Sequence, residues 1–299
     1  MKAYGVGVAH GAVSVLNAIP TGIGGAVGVD LKVKARAELL SDSVAEGKSI
    51  VRGIEVEIPQ FILQALLETL KSKYEFDGGI RVTVESEVPI ARGLKSSSAL
   101  VNSILMGFFN ALKLKYTTVD VAILGVEIAK KAGITVTGAF DDSLATVGKG
   151  LFITDNLNLK ILKHMPVEDA YAVIHVPSHE NPIYNIDVNS FRQFRRYYNI
   201  AVNLALQGKW KEAMMMNGLL TAIVIKSDPT PLLQAINSPG VIATGVSGKG
   251  PALVALTYDP EAVVNLWNNL EGEVLVTKLL GVNGEGEILS GEGINRGRC

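Results

Sequence analysis

The chain is almost without cysteine: of 299 residues only the last, Cys299, is one. This excludes an intrachain disulfide and any cysteine-built metal cluster within one chain, and it fits a reducing, cytoplasmic setting. Excess charge is lacking too. Lys and Arg number 28 against 29 Asp and Glu, a net charge of −1, so no basic field draws the chain to nucleic acid. Histidines number only four. His175 and His179 have the spacing of a helical zinc pair, but Pro177 between them breaks the helix that would align them.

Charge is also missing locally: residues 3–29 carry none if His10 is neutral. A membrane span wants about 20 mostly apolar residues in an unbroken helix. A signal peptide wants a basic start and a compact apolar block. Here seven glycines, Pro20, Asn17 and Ser14 interrupt the stretch, and Lys2 is its only charged flank. We expect a glycine-rich strand and loop inside a soluble core, with no membrane partner.

Widespread nucleotide and hydrolase motifs are absent as well. No Gly-x4-Gly-Lys-Ser/Thr occurs, and after Gly5 and Gly7 the third glycine of a dinucleotide fingerprint would fall on His10. No Gly-x-Ser-x-Gly occurs either, since Ser247 is followed two residues on by Lys249. A serine hydrolase built on Ser96, Ser97 or Ser98 would need a histidine base, and the four histidines leave that open.

What is present is a chain able to bury a large core, 48% hydrophobic. At roughly 150 residues per domain it makes one large or two medium domains; a composition shift after residue 155 suggests dividing it into 1–160 and 161–299. Alternation predicts short strands near 6–8 and 27–35 around a glycine-rich loop at 22–28, and further strands at 80–85, 171–176, 241–246, 252–257 and 274–280. Helical spacing predicts helices from Pro59 to about 73, then 99–112, 119–131, 187–207, 209–225, 231–236 and 260–270. The class is mixed α/β.

Four features carry candidate chemistry. First, a strand feeds Pro89, Ile90, Ala91, Arg92, Gly93, Leu94, Lys95, Ser96, Ser97, Ser98 and Ala99, which open directly into a helix. Amides of a first helical turn have no partner inside the helix, and its dipole leaves that end partly positive. A glycine, a lysine and three serines there point to phosphate binding; one serine alone would be a cap. Second, Asp141 and Asp142 stand in an apolar region, as site residues or as ordinary turn residues. Third, Glu127 on a helix is a solvated face residue or a Mg²⁺ ligand. Fourth, Gly245, Ser247, Gly248 and Gly250 form a hairpin loop, or let backbone approach a phosphate. Arg192, Arg195 and Arg196 share a helical face, solvated or meeting an anionic substrate, with Lys226 a further cation.

Taken in order, these segments resemble the GHMP kinase family (galactokinase, homoserine kinase, mevalonate kinase and relatives). The family's second motif, Pro-x-x-x-Gly-Leu-Gly-Ser-Ser-Ala, matches from Pro89 to Ser97 except at Lys95, and Ser98 replaces the alanine. Its late glycine-rich motif resembles 245–251, and its glycine before an aspartate resembles Gly138 and Asp141. Lys95 with its serines, together with Thr137-Gly-Ala-Phe-Asp-Asp142, is most similar to the archaeal shikimate kinase branch. The resemblance implies a two-domain α/β (α+β) fold, ribosomal-S5-like and then ferredoxin-like, with ATP and the acceptor between the domains. It implies ATP and Mg²⁺ as cofactors and shikimate as the small-molecule partner, phosphorylated at its 3-hydroxyl. Residues 89–99 would hold the phosphates, with Lys95 neutralising charge and Ser97 and Glu127 on the metal. Asp141 would accept or orient the hydroxyl proton, and Gly245, Ser247, Gly248 and Gly250 would close over the acceptor. Homoserine kinase, a non-catalytic homologue and a serine hydrolase stand as alternatives.

Overall fold

The computed structural model describes residues 3–178 and 188–281. Its N-terminal part is a seven-stranded sheet. Strand β1 (Tyr4–Leu16) pairs antiparallel along the whole of β2 (Ile23–Leu40), with register breaks after His10 and after Ser14. Then come β3 (Ala45–Val51), β4 (Ile54–Glu57), helix α1 (Gln60–Lys73), capped by Pro59, and β5 (Gly79–Ser86). Helices α2 (Ser96–Leu112), α3 (Thr118–Lys131) and α4 (Phe140–Val147) follow, and β6 (Leu151–Asp155) and β7 (Lys160–Met165) complete the sheet. Its order is β4-β3-β5-β2-β6-β7, with β1 on β2.

The expected division after 160 falls at the start of β7, which pairs with β6 in this first sheet. The second sheet starts with β8 (Tyr171–Pro177). It continues through α5 (Val188–Gln193), α6 (Arg195–Leu206), α7 (Trp210–Val224), α8 (Thr230–Ile236), β9 (Val241–Val246), β10 (Leu253–Thr257), α9 (Pro260–Trp267) and β11 (Gly272–Lys278). Its antiparallel order β11-β8-β10-β9 is that of a ferredoxin-like unit. Backbone hydrogen bonds from Leu280 to Gly28 and from Gly150 to Leu280 join the two parts, and one buried core runs from Val13 and Val27 through Ile174 to Met214.

Most expected elements form near their expected bounds, and the exceptions are physical. The glycine-rich segment 22–28 is not a loop: from Ile23 on it is strand, buried from Gly24 to Val29. Its glycines mark close approaches. A Cβ on Gly28 would lie 2.6 Å from the Ala145 carbonyl oxygen of α4, so only a bare backbone lets that helix sit on the sheet. In β1 a Cβ on Gly5 or Gly7 would lie 2.3 Å or 2.1 Å from carbonyl oxygens of α2. Strands β3 and β4 have no counterpart in the sequence reading: they are half-exposed, with Gly47 inside β3 packed under Val82. Residues 140–147 form a short helix, where Asp141 and Asp142 stood as site residues or as ordinary turn residues. The long helix expected from 187 divides at Phe194 into α5 and α6, and Arg192, Arg195 and Arg196 are exposed. His175 lies in a strand, and His179 and Cys299 lie outside the described residues. Among the described residues no helix is long and apolar enough to cross a membrane.

The contact of β1 with α2 yields a test. Replacing Gly7 by valine forces the α2 backbone away, and overpacking of this kind costs about 1–3 kcal/mol. Thermal unfolding followed by circular dichroism should show Tm lowered by several degrees; a Tm within ~1 °C of the parent would contradict the tight packing.

Candidate active site

Helix α2 begins where Lys95 takes a left-handed conformation, φ 64°, and no side chain caps it. The amides of Ser96, Ser97 and Ser98 thus form an N-terminus without a side-chain cap, rimmed by hydroxyls. Helix α4 begins in the same way, with Ala139 at φ 51° and no side-chain cap. Both helix starts line one cleft of about 370 Å³, with Ala91, Arg92, Gly93, Asp141, Asp142 and the loop residues Gly248, Lys249 and Gly250. Positive φ outside glycine is uncommon, and the cleft holds three such residues, Ala91, Lys95 and Ala139. Such strain persists only where surrounding contacts over-determine it.

Those contacts come from three distant parts of the chain. Lys95 Nζ lies 3.0 Å from Asp142 Oδ1 and donates to Ser14 Oγ at 2.7 Å. Ser14 Oγ also accepts from the Gly248 amide at 3.0 Å, and the Ser14 amide donates to Ser247 Oγ at 3.1 Å. Ser247 Oγ in turn donates to the Gly93 carbonyl at 2.7 Å, and Asn17 Nδ2 donates to the Gly248 carbonyl at 3.0 Å. A Cβ on Gly93 would lie 2.2 Å from the Ser247 carbonyl oxygen, so this contact needs the glycine. The register break after Ser14 is a bulge beside the cleft, a device that re-aims a side chain.

Asp141 is only 3% exposed. Its carboxyl lies over Gly24 of β2, where a Cβ would come within 2.4 Å of it. Asn156 Nδ2 donates to its Oδ1 at 2.8 Å. Burial and then the Asp142 carboxylate push the Asp141 carboxyl up to about 7, against the opposing pull of Lys95 and Asn156. The pair is therefore unlike: Asp142 is 3.0 Å from a cation, whereas Asp141 titrates near neutrality. A group with that property in a cleft can take up and release a proton at working pH.

The remaining candidates divide plainly. Leu94 and Ala99 go into the core, Pro89 is buried, Ile90 is exposed, and none of the four lines the cleft. Gly245 and Ser247 do not line it either. Gly245 lies in β9 against Gly218 of α7, and Ser247 is the buried brace of the Gly93 turn. Glu127 is not among the cleft-lining residues. Gly125, Val126 and Ala129 face the cleft, but Glu127 is turned toward α1 and pairs with Lys73 at 2.8 Å. It is not brought together with Ser97, because one residue beyond Val126 is about 100° round a helix of 3.6 residues per turn. Among the described residues no histidine lines the cleft; His179 lies outside them.

Ser14, Asn17 and Asn156 were missed by the sequence reading as site residues. For the first two a signal existed: they are the polar interruptions of the uncharged N-terminal stretch. Asn156 gave none, since an asparagine after a strand reads as a turn.

A helix start lined by Lys95 and serines, a second sheet of ferredoxin-like order and a buried aspartate in the same cleft fit a small-molecule kinase fold. A family model described as the GHMP kinases N terminal domain matches residues 60–150. The chain is 36% identical over 273 residues to the shikimate kinase of Pyrococcus furiosus, covering 91% of this chain and 98% of the relative. It is 38% identical over 271 residues to the shikimate kinase of Thermococcus kodakarensis, with coverage of 91% and 98%. Among solved structures, L. major mevalonate kinase in complex with R-mevalonate superposes with a TM-score of 0.70 at 16% identity, covering 95% of this chain and 99% of that one. The homoserine kinase of Cytophaga hutchinsonii gives 0.70 at 17% identity, covering 94% and 96%. The chain belongs to the GHMP kinase family, in its archaeal shikimate kinase group.

Titration of Asp141 makes a prediction that needs no substrate. Its folded pKa is raised, so between about pH 4 and 7 the folded state holds a proton that the unfolded state has released, and stability from this group falls as pH rises. Asp141→Asn removes that loss. Denaturant unfolding at a series of pH values should show the variant gaining on the parent as pH rises through this window; a constant difference would contradict the raised pKa.

Proposed function

We propose that the chain transfers the γ-phosphoryl group of ATP to the 3-hydroxyl of shikimate. The observation that carries this reading is the meeting in one cleft of the α2 N-terminus, the Lys95–Asp142 pair and the buried Asp141. Phosphoryl transfer asks chiefly for positioning and charge stabilisation. Ser96, Ser97 and the amides beside them hold the polyphosphate, with Lys95 close enough to neutralise its growing charge. Asp141 accepts the proton of the acceptor hydroxyl as its oxygen attacks the γ-phosphorus. The bond from that phosphorus to the β–γ bridging oxygen breaks, and ADP leaves.

Mg²⁺ enters as part of the MgATP substrate. It is commonly held by one or two carboxylates together with substrate phosphates. Ser97 at the mouth of α2 would offer it a hydroxyl oxygen; the Glu127 carboxylate pairs with Lys73 and is not among the cleft-lining residues. Among the described residues no three His, Cys, Asp or Glu side chains converge as a protein-only metal site. A cytoplasmic location belongs to the same reading, supported by the near absence of cysteine.

Choice of acceptor rests on the relatives. Eight shikimate kinases match at 31–38% identity over 90–98% of this chain. The homoserine kinase structure shares the fold at 17%. A coupled ADP-release assay with MgATP should give turnover with shikimate and background with homoserine and mevalonate; turnover with homoserine in place of shikimate would overturn the assignment.

Two consequences concern Asp141. General-base help is worth about 10²–10⁴-fold, so Asp141→Asn should lower kcat by that range and leave the Kd for ATP, measured by titration calorimetry, largely unchanged. The lower limb of the kcat/KM profile should bend near pH 7, as the base must be ionised. An unchanged kcat would remove Asp141 from the mechanism.

A further inference from the structure

Asn156 stands in the turn after β6, 15 residues from Asp141 in sequence, and is fully buried. Its carboxamide has two donors and two acceptor sites, and all four are used. The oxygen Oδ1 accepts from Thr154 Oγ1 at 2.6 Å and from the Asp141 amide at 3.2 Å. The nitrogen Nδ2 donates to Asp141 Oδ1 at 2.8 Å and to Thr137 Oγ1 at 3.3 Å. Because a backbone amide must meet the oxygen end, the NH₂ end can only face the carboxyl. Thr137 also receives the Ala139 amide, so the same side chain ties down the turn that launches α4.

We propose that Asn156 is a positioning residue for Asp141: its carboxamide, locked by Thr154, holds Oδ1 and leaves Oδ2 to take the proton of the acceptor hydroxyl. Gly24 clears the space beneath the carboxyl, and Asn156 fixes its rotation. A fixed carboxylate is worth much to an attacking hydroxyl, since a misplacement of about 1 Å can cost 10²-fold. The charged groups facing Asp141 are Asp142 on its own helix and Lys95 at the entry to α2. Gly24 of β2 lies under it, Asn156 in the turn after β6 and the Asp142 amide bond to it, and Thr154 of β6 holds Asn156; all four groups are neutral. Asn156 thus contributes through a directed hydrogen bond to the ionised carboxyl, strengthened by its charge.

The inference rests on Asp141 acting as the base for shikimate, so two measurements are paired. In kcat/KM against pH, Asn156→Ser and the milder Thr154→Val should move the lower limb upward, by about one unit and by less, respectively. Activity should fall about tenfold or more at pH 6 and recover partly at pH 9, since one pH unit is a factor of ten on that limb. A uniform loss at every pH would make Asn156 merely structural and would overturn the proposal. The second measurement needs no turnover. In denaturant unfolding, the stability deficit of Asn156→Ser should grow as pH rises through 7, when Asp141 ionises, and become pH-independent in an Asp141→Asn background. A deficit indifferent to pH in the Asp141 background overturns the proposal. Absence of shikimate turnover in the parent, with the pH-dependent deficit present, would instead overturn the assigned reaction while leaving the clamp on Asp141 in place.

Discussion

A carboxyl is buried above a glycine, and much else follows from that placement. Without a side chain at position 24, the Asp141 carboxyl occupies the space above β2 where a Cβ would come within 2.4 Å of it. Burial costs the charged form dearly, and Asp142 beside it adds repulsion, so the group titrates near neutrality and not near 4. Lys95 stands 3.0 Å from Asp142 and offsets part of that cost. The positive ends of α2 and α4 face the same cleft and favour negative charge there. Three cations, Arg92, Lys95 and Lys249, two unlike acids and two helix starts line one cleft, which suits the proposed meeting of a polyphosphate with an alcohol.

Holding that arrangement takes the whole chain. Ser14 from the first strand, Gly93 from the phosphate turn and Gly248 from the late hairpin bond to one another through Lys95 and Ser247. Left-handed Lys95 sits where those bonds converge, and left-handed Ala91 and Ala139 line the same cleft. Buried Asn102 of α2 donates to Ser143 and Thr146 of α4, and Ser143 donates to the Ala122 carbonyl of α3, fixing the mutual position of the helix starts. Fully satisfied buried networks of this sort specify one arrangement of elements. The second sheet supplies the hairpin loop and shares the core with the first.

Much of this is legible in sequence. Alternation around Ile80 and the apolar run after Ala99 foretell β5 and α2, and Gly93, Lys95 and the serines point to phosphate binding before any relative is considered. The ordered motifs then name the family. Other features depend on tertiary contact and have no local signature. Gly24 and Gly28 read as loop because their low strand propensity is compensated by α4, which presses the Asp141 side chain and the Ala145 carbonyl onto bare backbone. Glu127 reads as a solvated face residue or a metal ligand because spacing alone does not say which side of α3 meets the cleft; its carboxylate pairs with Lys73. Asn156 is silent because three of its four hydrogen bonds go to Thr137 and Asp141, 15 or more residues away, and the fourth goes to the nearby Thr154.

The most direct test of the central claim is a crystal structure with a non-hydrolysable ATP analogue, Mg²⁺ and shikimate bound together. The account predicts the terminal phosphates over the first turn of α2 beside Ser97 and Lys95, with the shikimate 3-hydroxyl within hydrogen-bonding distance of Asp141. Shikimate bound away from Asp141, or the phosphates away from the start of α2, would contradict it.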